Sequence, residues 1–148
     1  MTHDPAPEEI LRIHGGTPLQ GRATVQSAKN SSLYLILASL LTHEPIVPKN
    51  VPKLSDVLVS LEILEHVGVN VRWDDHDLHL HAENVTRSDA PFRLVRKMRA
   101  SFVAMGALLG RVGTARIGVP GGCAFGPRPV DRHLAAFQAL GVDIDEVD

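Results

Sequence analysis

The sequence predicts an α/β fold in which one β-α-β-α-β-β unit of about seventy residues is used twice. Two pairs of similar segments carry this prediction. Residues 29–41 (KNSSLYLILASLL) align without gaps on residues 97–109 (KMRASFVAMGALL), and residues 64–71 (LEHVGVNV) match residues 137–144 (FQALGVDI). The first pair is typical of buried helices with small residues for close packing. The second pair is typical of a helix that ends at a glycine and leads directly into a strand.

The first unit begins with elements that local signals define. A strand is predicted near residues 21–26, and a helix begins at Lys29. The proline-punctuated residues 44–52 predict an extended segment, because proline disfavours helix both at its own position and at the preceding residue. Ser55 is the predicted N-cap of a helix that continues through Val67.

The first unit is predicted to end in a β-hairpin. Residues 69–73 and 78–81 alternate in side-chain character around a polar turn at residues 74–77. His79 and His81 fall on one face of the second strand and resemble a metal-binding pair. The alternation favours a different interpretation, in which the leucines of this strand point inward and the histidines face solvent. No carboxylate or thiol cluster with ligand spacing accompanies them, so no metal site is predicted.

The second unit begins at about residue 91 and repeats most of this order. A buried helix over residues 97–109 is followed by a strand at 114–119, a helix at 130–140 and a strand at 142–145. A counterpart of the strand at residues 78–81 is missing. Since the open sheet edge would be an aggregation risk, we expect the chain to be a piece of a longer protein.

Composition excludes several classes of protein. The 148 residues are 44% apolar and 22% charged with a formal net charge of −2, which argues against disorder. Lys and Arg number 15 against 17 Asp and Glu, and aromatic residues make up 4%, so nucleic-acid binding is not expected. The single cysteine, Cys123, excludes an internal disulfide and a multi-thiolate zinc site. Nothing suggests a bound cofactor.

The same sequence lacks the signals of a membrane or secreted protein. The longest nearly apolar run, residues 33–41, is too short to span a bilayer. The acidic, proline-containing start MTHDPAPEEI is unlike a signal peptide. We therefore expect a cytoplasmic protein.

The most specific motif is a glycine- and proline-rich loop around the cysteine, PGGCAFGPRPVD at residues 120–131. Cys123 lies between glycines, and Arg128 follows at the entrance to a predicted helix. A nearby guanidinium group and a helix N-terminus both favour the thiolate. A buried, inert cysteine is the alternative, but a Gly/Pro loop favours a reactive thiol over an apolar filler.

Basic residues recur at the starts of predicted helices. Lys29, Arg99 and Arg128 each lie at or near such a position. Helix N-termini present unpaired N–H groups and partial positive charge, so an added cation suggests an anion site. Solvated surface charge is the alternative for any single one of them. Asp56, by contrast, is interpreted as ordinary first-turn helix charge, and the N-terminal glycines lack the spacing of a phosphate-binding P-loop.

These motifs together resemble the N-terminal third of the UDP-N-acetylglucosamine 1-carboxyvinyltransferases, a family of enolpyruvyl transferases. The sequence departs from the usual family pattern at Gln26, Ser27 and Phe125. The matching stretches are Gly15-Gly16, Leu19-Gln20-Gly21, Ala28-Lys29-Asn30, residues 50–57 (NVPKLSDV), Met98-Arg99-Ala100-Ser101, residues 120–131 and His133.

The resemblance implies an inside-out α/β barrel of repeated β-α-β-α-β-β units, here incomplete. In such a protein, two domains of three units each close around the substrates. Residues 1–24 would be a disordered start plus a strand that belongs to the other domain. Residues 25–148 would be a partial first domain, with one full unit and most of a second. The second domain, and the remaining C-terminal part of the polypeptide, would be absent.

The resemblance also implies a reaction and a set of residues. Phosphoenolpyruvate would donate its enolpyruvyl group to the 3-hydroxyl of UDP-N-acetylglucosamine, the first committed step of peptidoglycan precursor synthesis in cell-wall biogenesis, and hence of cell shape and division. Lys29 and Arg128 would hold the phosphate, Arg99 the anionic groups, and Asn30 the region of the sugar hydroxyl. Cys123 would be the general acid and the point of attack by fosfomycin. The substrate-binding loop would be completed by Pro129, Val130 and Asp131.

Two other hypotheses remain open from the sequence. The chain could be a ligand-binding module derived from this family that carries out no catalysis. It could also resemble the 3-phosphoshikimate 1-carboxyvinyltransferases, which share the fold and chemistry but lack the Gly-Gly-Cys and Arg-Pro-Val-Asp motifs. In the first family the general base lies beyond this chain, so the fragment is expected to be inactive by itself.

Overall fold

A computed structural model describes residues 11–96, 102–118 and 130–145 of the chain. Five helices and four short strands lie in these ranges. The helices are α1 (Lys29–Ala38, extended by a 3-10 turn at Ser39–Leu41), α2 (Ser55–Val67), α3 (Phe92–Val95), α4 (Ala104–Val112) and α5 (Asp131–Ala139). The strands are β1 (Asn70–Asp74), β2 (Asp77–His81), β3 (Asp89–Ala90) and β4 (Arg116–Ile117).

Helix α2 ends at Val67, as the sequence predicts, but it begins one residue earlier than predicted. Leu54 occupies the cap position in extended conformation, and Ser55 is the first helical residue, with no side-chain capping bond. The prediction of Ser55 as N-cap was therefore wrong by one residue. At the other end Gly68 adopts a φ of 106°, and the N–H of Val69 donates to the carbonyl of Leu64 at 2.9 Å. This left-handed cap confirms the predicted helix stop at glycine.

The hairpin is confirmed, and the proline-rich segment completes a small sheet around it. Strands β1 and β2 pair antiparallel, with Val71 opposite Leu80. On the free side of β2, Ile46 exchanges both backbone hydrogen bonds with Leu80 at 2.9 Å, and the N–H of Val51 donates to His76. The extended segment at residues 44–52 therefore lies alongside β2. Leu78 and Leu80 are fully buried, as the alternation predicts.

The strands of the second unit are shorter than predicted. Strands β3 and β4 pair in parallel over two residues each, and neither β3 nor α3 is predicted from the sequence. Strand β4 confirms a strand within residues 114–119 but covers only Arg116–Ile117. The strands expected at residues 21–26 and 142–145 are wrong, since those residues form neither helix nor strand. A strand needs a backbone partner, and sequence alternation does not supply one.

The two units share one hydrophobic core. Helix α1 contributes Ile36 and Leu37, α2 contributes Ile63 and Leu64, and α4 contributes Leu108, all of them essentially inaccessible to solvent. Helix α4 approaches the end of α1 closely: a Cβ on Gly110 would lie 3.3 Å from the side chain of Leu41. This glycine lies one residue beyond the segment for which close packing is predicted, so the contact extends that pattern to the end of α4.

Beyond its polar first turn, helix α1 is apolar on all sides, but the described residues cover only one side. Ser32, Leu33, Ile36 and Leu37 are buried against α2 and α4. Tyr34 and Leu35, in the same turns, are 55% and 57% exposed. A helix that is hydrophobic all round is typical of the interior of a larger fold. In the described part of the chain, no helix is both long and apolar enough to cross a membrane.

Candidate functional site

The candidate site begins at the N-terminus of α1, where Lys29 and Asn30 are the first two helical residues. Ala28 precedes them in extended conformation, with no side-chain capping bond to the helix. The first turn holds no acidic residue. Its N–H groups and partial positive charge therefore add to the charge of Lys29, whose side chain is 46% exposed. This end of the helix attracts anions.

Lys29 meets the first turn of a second helix. Its Nζ donates a hydrogen bond to Oδ2 of Asp56 over 2.7 Å, across 27 residues of sequence. Asp56 lies in the first turn of α2, and its side chain is 31% exposed. The structure thus brings the starts of α1 and α2 together through this ion pair. The sequence predicts Asp56 in the first turn of α2, as observed, but it does not predict the contact with Lys29.

The start of α5 supplies the other described residues of the predicted site. Val130 is buried and precedes the helix, and Asp131 is its exposed first residue. A carboxylate at this position stabilises the helix N-terminus. Farther along α5, the ring of His133 meets Phe102 edge-on, with 5.7 Å between ring centroids. Helix α5 therefore packs beside the turn that leads into α4.

Four predicted site residues lie outside the described ranges. They are Arg99, Cys123, Arg128 and Pro129. The roles assigned to them by resemblance stay predictions, as do those of Lys29, Asn30, Val130 and Asp131. Phe102, which directly follows residues 97–101, is in contact with His133, which lies shortly after residues 119–129.

The paired histidines of β2 lie away from this site. The Nε2 atom of His81 lies 3.1 Å from the carbonyl oxygen of His43, and His79 lies 3.9 Å from the carboxylate of Asp74. Within residues 11–96, 102–118 and 130–145, no group of three or more His, Cys, Asp and Glu residues is arranged to hold a metal ion.

A second charged cluster, which the sequence does not predict, joins the end of α2 to β3. The ring of His66 lies 2.9 Å from Oδ2 of Asp89, and the guanidinium group of Arg87 lies 3.5 Å from the same ring. The hydrogen bond from His66 lowers the pKa of Asp89 below its usual 3.8, with smaller contributions from the charges of His66 and Arg87. No local sequence signal indicates this contact, because it depends on how residues 82–88 return across the helix end.

Comparison with known sequences gives the family. Residues 13–147 match the sequence model of the family described as EPSP synthase (3-phosphoshikimate 1-carboxyvinyltransferase). The chain belongs to the EPSP synthase family.

Three curated relatives from different organisms share one name. The chain is 49% identical over 139 residues to the UDP-N-acetylglucosamine 1-carboxyvinyltransferase of Thermus thermophilus. The aligned residues cover 94% of the chain and 33% of the relative. It is 48% identical over 137 residues to that of Deinococcus deserti, covering 92% and 32%. It is 49% identical over 134 residues to that of Maricaulis maris, covering 90% and 32%. The chain thus spans about a third of the length of these EPSP synthase family proteins.

A solved structure with a similar backbone confirms the fold class. The enolpyruvyl transferase NikO from Streptomyces tendae superimposes with a TM-score of 0.77 over 92% of the chain and 30% of the NikO chain, at 24% sequence identity. The fold is therefore an incomplete enolpyruvyl-transferase-like α/β fold, as the resemblance implies. The described strands form no closed barrel.

Proposed function

We propose that the chain is part of an enzyme that transfers the enolpyruvyl group of phosphoenolpyruvate to the 3-hydroxyl of UDP-N-acetylglucosamine. The observation that carries the proposal is 49% identity, over 94% of the chain, to a relative named for that reaction. Relatives from other organisms with the same name match almost as well. By this proposal the protein acts in the cytoplasm, in the first committed step of peptidoglycan precursor synthesis.

The charge at the start of α1 suits the phosphate of phosphoenolpyruvate. Lys29 adds a formal positive charge to the N–H groups of a helix N-terminus, and its side chain reaches solvent. In the proposed site, Arg128 shares the phosphate with Lys29, and Arg99 faces the remaining anionic groups. Asn30, next to Lys29, binds near the sugar hydroxyl, and residues 128–131 line the uridine and diphosphate end.

The proposed reaction has two steps. The oxygen of the sugar 3-hydroxyl adds to carbon 2 of phosphoenolpyruvate, while Cys123 delivers a proton to the methylene carbon. The hydroxyl proton passes to a base outside this chain, and a tetrahedral intermediate results. Loss of a proton from the new methyl group then expels inorganic phosphate and restores the double bond. Cations at the phosphate stabilise the charge that develops as it leaves.

Loss of the Lys29 cation tests this proposal. In a polypeptide of the relatives' full length that carries these residues, Lys29→Ala and Arg128→Ala should each cost about 2–4 kcal/mol of transition-state stabilisation. The value of kcat/KM for phosphoenolpyruvate should then fall between roughly thirty-fold and a thousand-fold.

The matched control is Lys49→Ala. Lys49 also forms an ion pair with an aspartate, Asp77, at 2.6 Å, but its side chain is 69% exposed and lies beside the hairpin. Its loss should leave kcat/KM unchanged. If Lys29→Ala and Arg128→Ala behave like Lys49→Ala, these cations are solvated charges and the proposed site is wrong.

A second candidate reaction has one observation in its favour. The matching family model is described by 3-phosphoshikimate 1-carboxyvinyltransferase. Phosphate release from phosphoenolpyruvate should be measured with UDP-N-acetylglucosamine and, separately, with shikimate 3-phosphate as the acceptor. Release with the second acceptor alone would replace the proposed reaction. The Cys123 motif favours the sugar nucleotide.

A further inference from the structure

The ion pair between Lys29 and Asp56 links two helix starts that are distant in sequence. The Nζ–Oδ2 distance is 2.7 Å, and both side chains are partly exposed. Asp56 contributes favourably to the N-terminus of its own helix, α2. Lys29 is unfavourable at the N-terminus of α1, because like charges meet there. The carboxylate of Asp56 offsets that repulsion across the gap between the helices.

The contact also restricts a flexible side chain. A lysine ammonium group is carried on a four-carbon chain with many rotamers, and fixing it costs conformational entropy. Asp56 fixes one end of this chain from a helix whose core residues, Val57 and Leu61, are buried. It engages one of the three N–H donors of Nζ, so two remain for a ligand. Lys29 is therefore held in one direction before any anion binds.

We propose that Asp56 is a positioning residue, which holds the Lys29 ammonium group in the orientation that binds the phosphate of phosphoenolpyruvate. This inference rests on the proposed function, since it assigns Lys29 to that phosphate. Asp56 acts through Lys29 and does not itself touch the reacting atoms. Its carboxylate would repel a phosphate if it acted alone, so its contribution should depend on the presence of Lys29.

A double-mutant cycle separates this role from a structural one. Lys29→Ala, Asp56→Ala and the combined variant should be compared in a polypeptide of the relatives' full length. We expect Asp56→Ala to lower kcat/KM for phosphoenolpyruvate roughly ten-fold or more in the presence of Lys29. In the Lys29→Ala background, the same change should have less than a two-fold effect, because nothing remains to position. Asp56→Glu should restore part of the loss.

Further measurements separate the positioning role from a general loss of folding. The melting temperatures of the variants report folding directly, and Asp77→Asn, which breaks a Lys–Asp pair of similar length to Lys49 at 2.6 Å, should keep full kcat/KM. If a variant has lost turnover, its affinity for phosphoenolpyruvate can be measured instead, by calorimetric titration in the presence of UDP-N-acetylglucosamine. KM for the sugar nucleotide should change less than two-fold in Asp56→Ala.

The outcomes distinguish the inference from the function on which it rests. A ten-fold loss from Asp56→Ala that persists in the Lys29→Ala background would overturn the positioning role. So would an Asp56→Ala variant with full activity beside a strongly impaired Lys29→Ala variant. If Lys29→Ala itself retains full activity, the proposed function is wrong at this residue, and the positioning role is overturned with it.

Discussion

Single charged side chains join segments of this chain that are distant in sequence. Arg111, in the last turn of α4, donates from one guanidinium nitrogen to the carbonyls of Ala82 at 2.7 Å and Glu83 at 3.2 Å. The same nitrogen lies 2.7 Å from Nδ1 of His43. A cation also suits the negative end of a helix. Arg111 therefore ties the second unit to two loops of the first, as the Lys29–Asp56 pair ties α1 to α2.

The contact between His66 and Asp89 predicts a measurable pH dependence. Because the pKa of Asp89 lies below its usual 3.8, the ionised carboxylate is stabilised by folding. That stability is fully present above pH 3.8 and is lost as the pH falls through the lower pKa of the folded state. Carbon-detected NMR titration of the Asp89 carboxyl group should give a midpoint below 3.8.

Replacement of the histidine checks the cause. His66→Phe keeps a ring at the end of α2 but removes the hydrogen bond, so the Asp89 midpoint should rise. His76→Phe is the control, since His76 lies in the hairpin turn beside Asp75 and should leave the midpoint unchanged. An Asp89 midpoint that stays low in His66→Phe would assign the shift to Arg87 instead.

Reactivity of Cys123 is the other prediction at the scale of one residue. In a full-length polypeptide, the positive charge of Arg128 should lower the pKa of the Cys123 thiol below the free value of about 8.5. Fosfomycin, an anionic epoxide, should then alkylate it in the presence of UDP-N-acetylglucosamine. Mass spectrometry should find one adduct on the peptide that carries Cys123.

The chain offers a clean control, since Cys123 is its single cysteine. Cys123→Ser should abolish the adduct, whereas Cys123→Asp should keep activity because a carboxylic acid can deliver the same proton. Full activity in fosfomycin with an unmodified Cys123 would contradict the role assigned to this residue.

At the scale of one element, the glycine that ends α2 should be hard to replace. Gly68 has a φ of 106°, and a Cβ there would lie 2.6 Å from the backbone oxygen of Asn84. Gly113 ends α4 with a φ of 75° and open space around it. Gly113→Ala should lower the free energy of unfolding by about 1–2 kcal/mol, the cost of placing an alanine in the left-handed conformation. Gly68→Ala adds a backbone clash and should cost about 2–5 kcal/mol in total.

Urea denaturation of both variants measures the difference. The midpoint for Gly68→Ala should lie clearly below that for Gly113→Ala, with similar slopes. Equal midpoints would mean that the segment carrying Asn84 moves aside without cost.

Helix α2 and the β1–β2 hairpin show which parts of the fold are predictable from the sequence. Helix α2 and the hairpin are defined by local signals, namely a glycine stop, an alternating pattern and a polar turn. The strand predicted at residues 21–26 has the same kind of pattern but, among the described residues, no backbone partner. Strands β3 and β4 form because distant segments meet in parallel, and no local pattern encodes that meeting.

In the candidate site too, local features are predictable from the sequence and contacts between distant segments are not. The position of Lys29 at the start of α1 is predictable, since a basic residue before an apolar helical segment is visible in the sequence. The partner of Lys29 is not, because Asp56 reaches it only through the packing of α1 on α2. The match of residues 50–57 to the family includes Asp56, but the first-turn interpretation already explained an acidic residue there.

At the scale of the whole molecule, several large apolar side chains of α1 and α2 are exposed in the described part of the chain. Tyr34, Leu35 and Leu41 are each more than half exposed on one side of α1 and its 3-10 extension. Leu58 of α2 is 45% exposed. The relatives are about three times as long as the chain, and we expect their additional sequence to supply elements that cover these side chains. Turnover in the proposed reaction should depend on those elements.

The 148-residue chain alone should therefore show no turnover. By the proposed function, the general base and further arginines come from sequence beyond these residues, and a phosphate site without a base can bind but not react. Phosphate release from phosphoenolpyruvate with UDP-N-acetylglucosamine should stay at the background rate for the chain and rise only for a polypeptide of the relatives' length. Lys29→Ala in the chain is the control for contaminating enzyme. Release that scales with chain concentration and disappears in Lys29→Ala would prove that these residues suffice, and that the base lies among them.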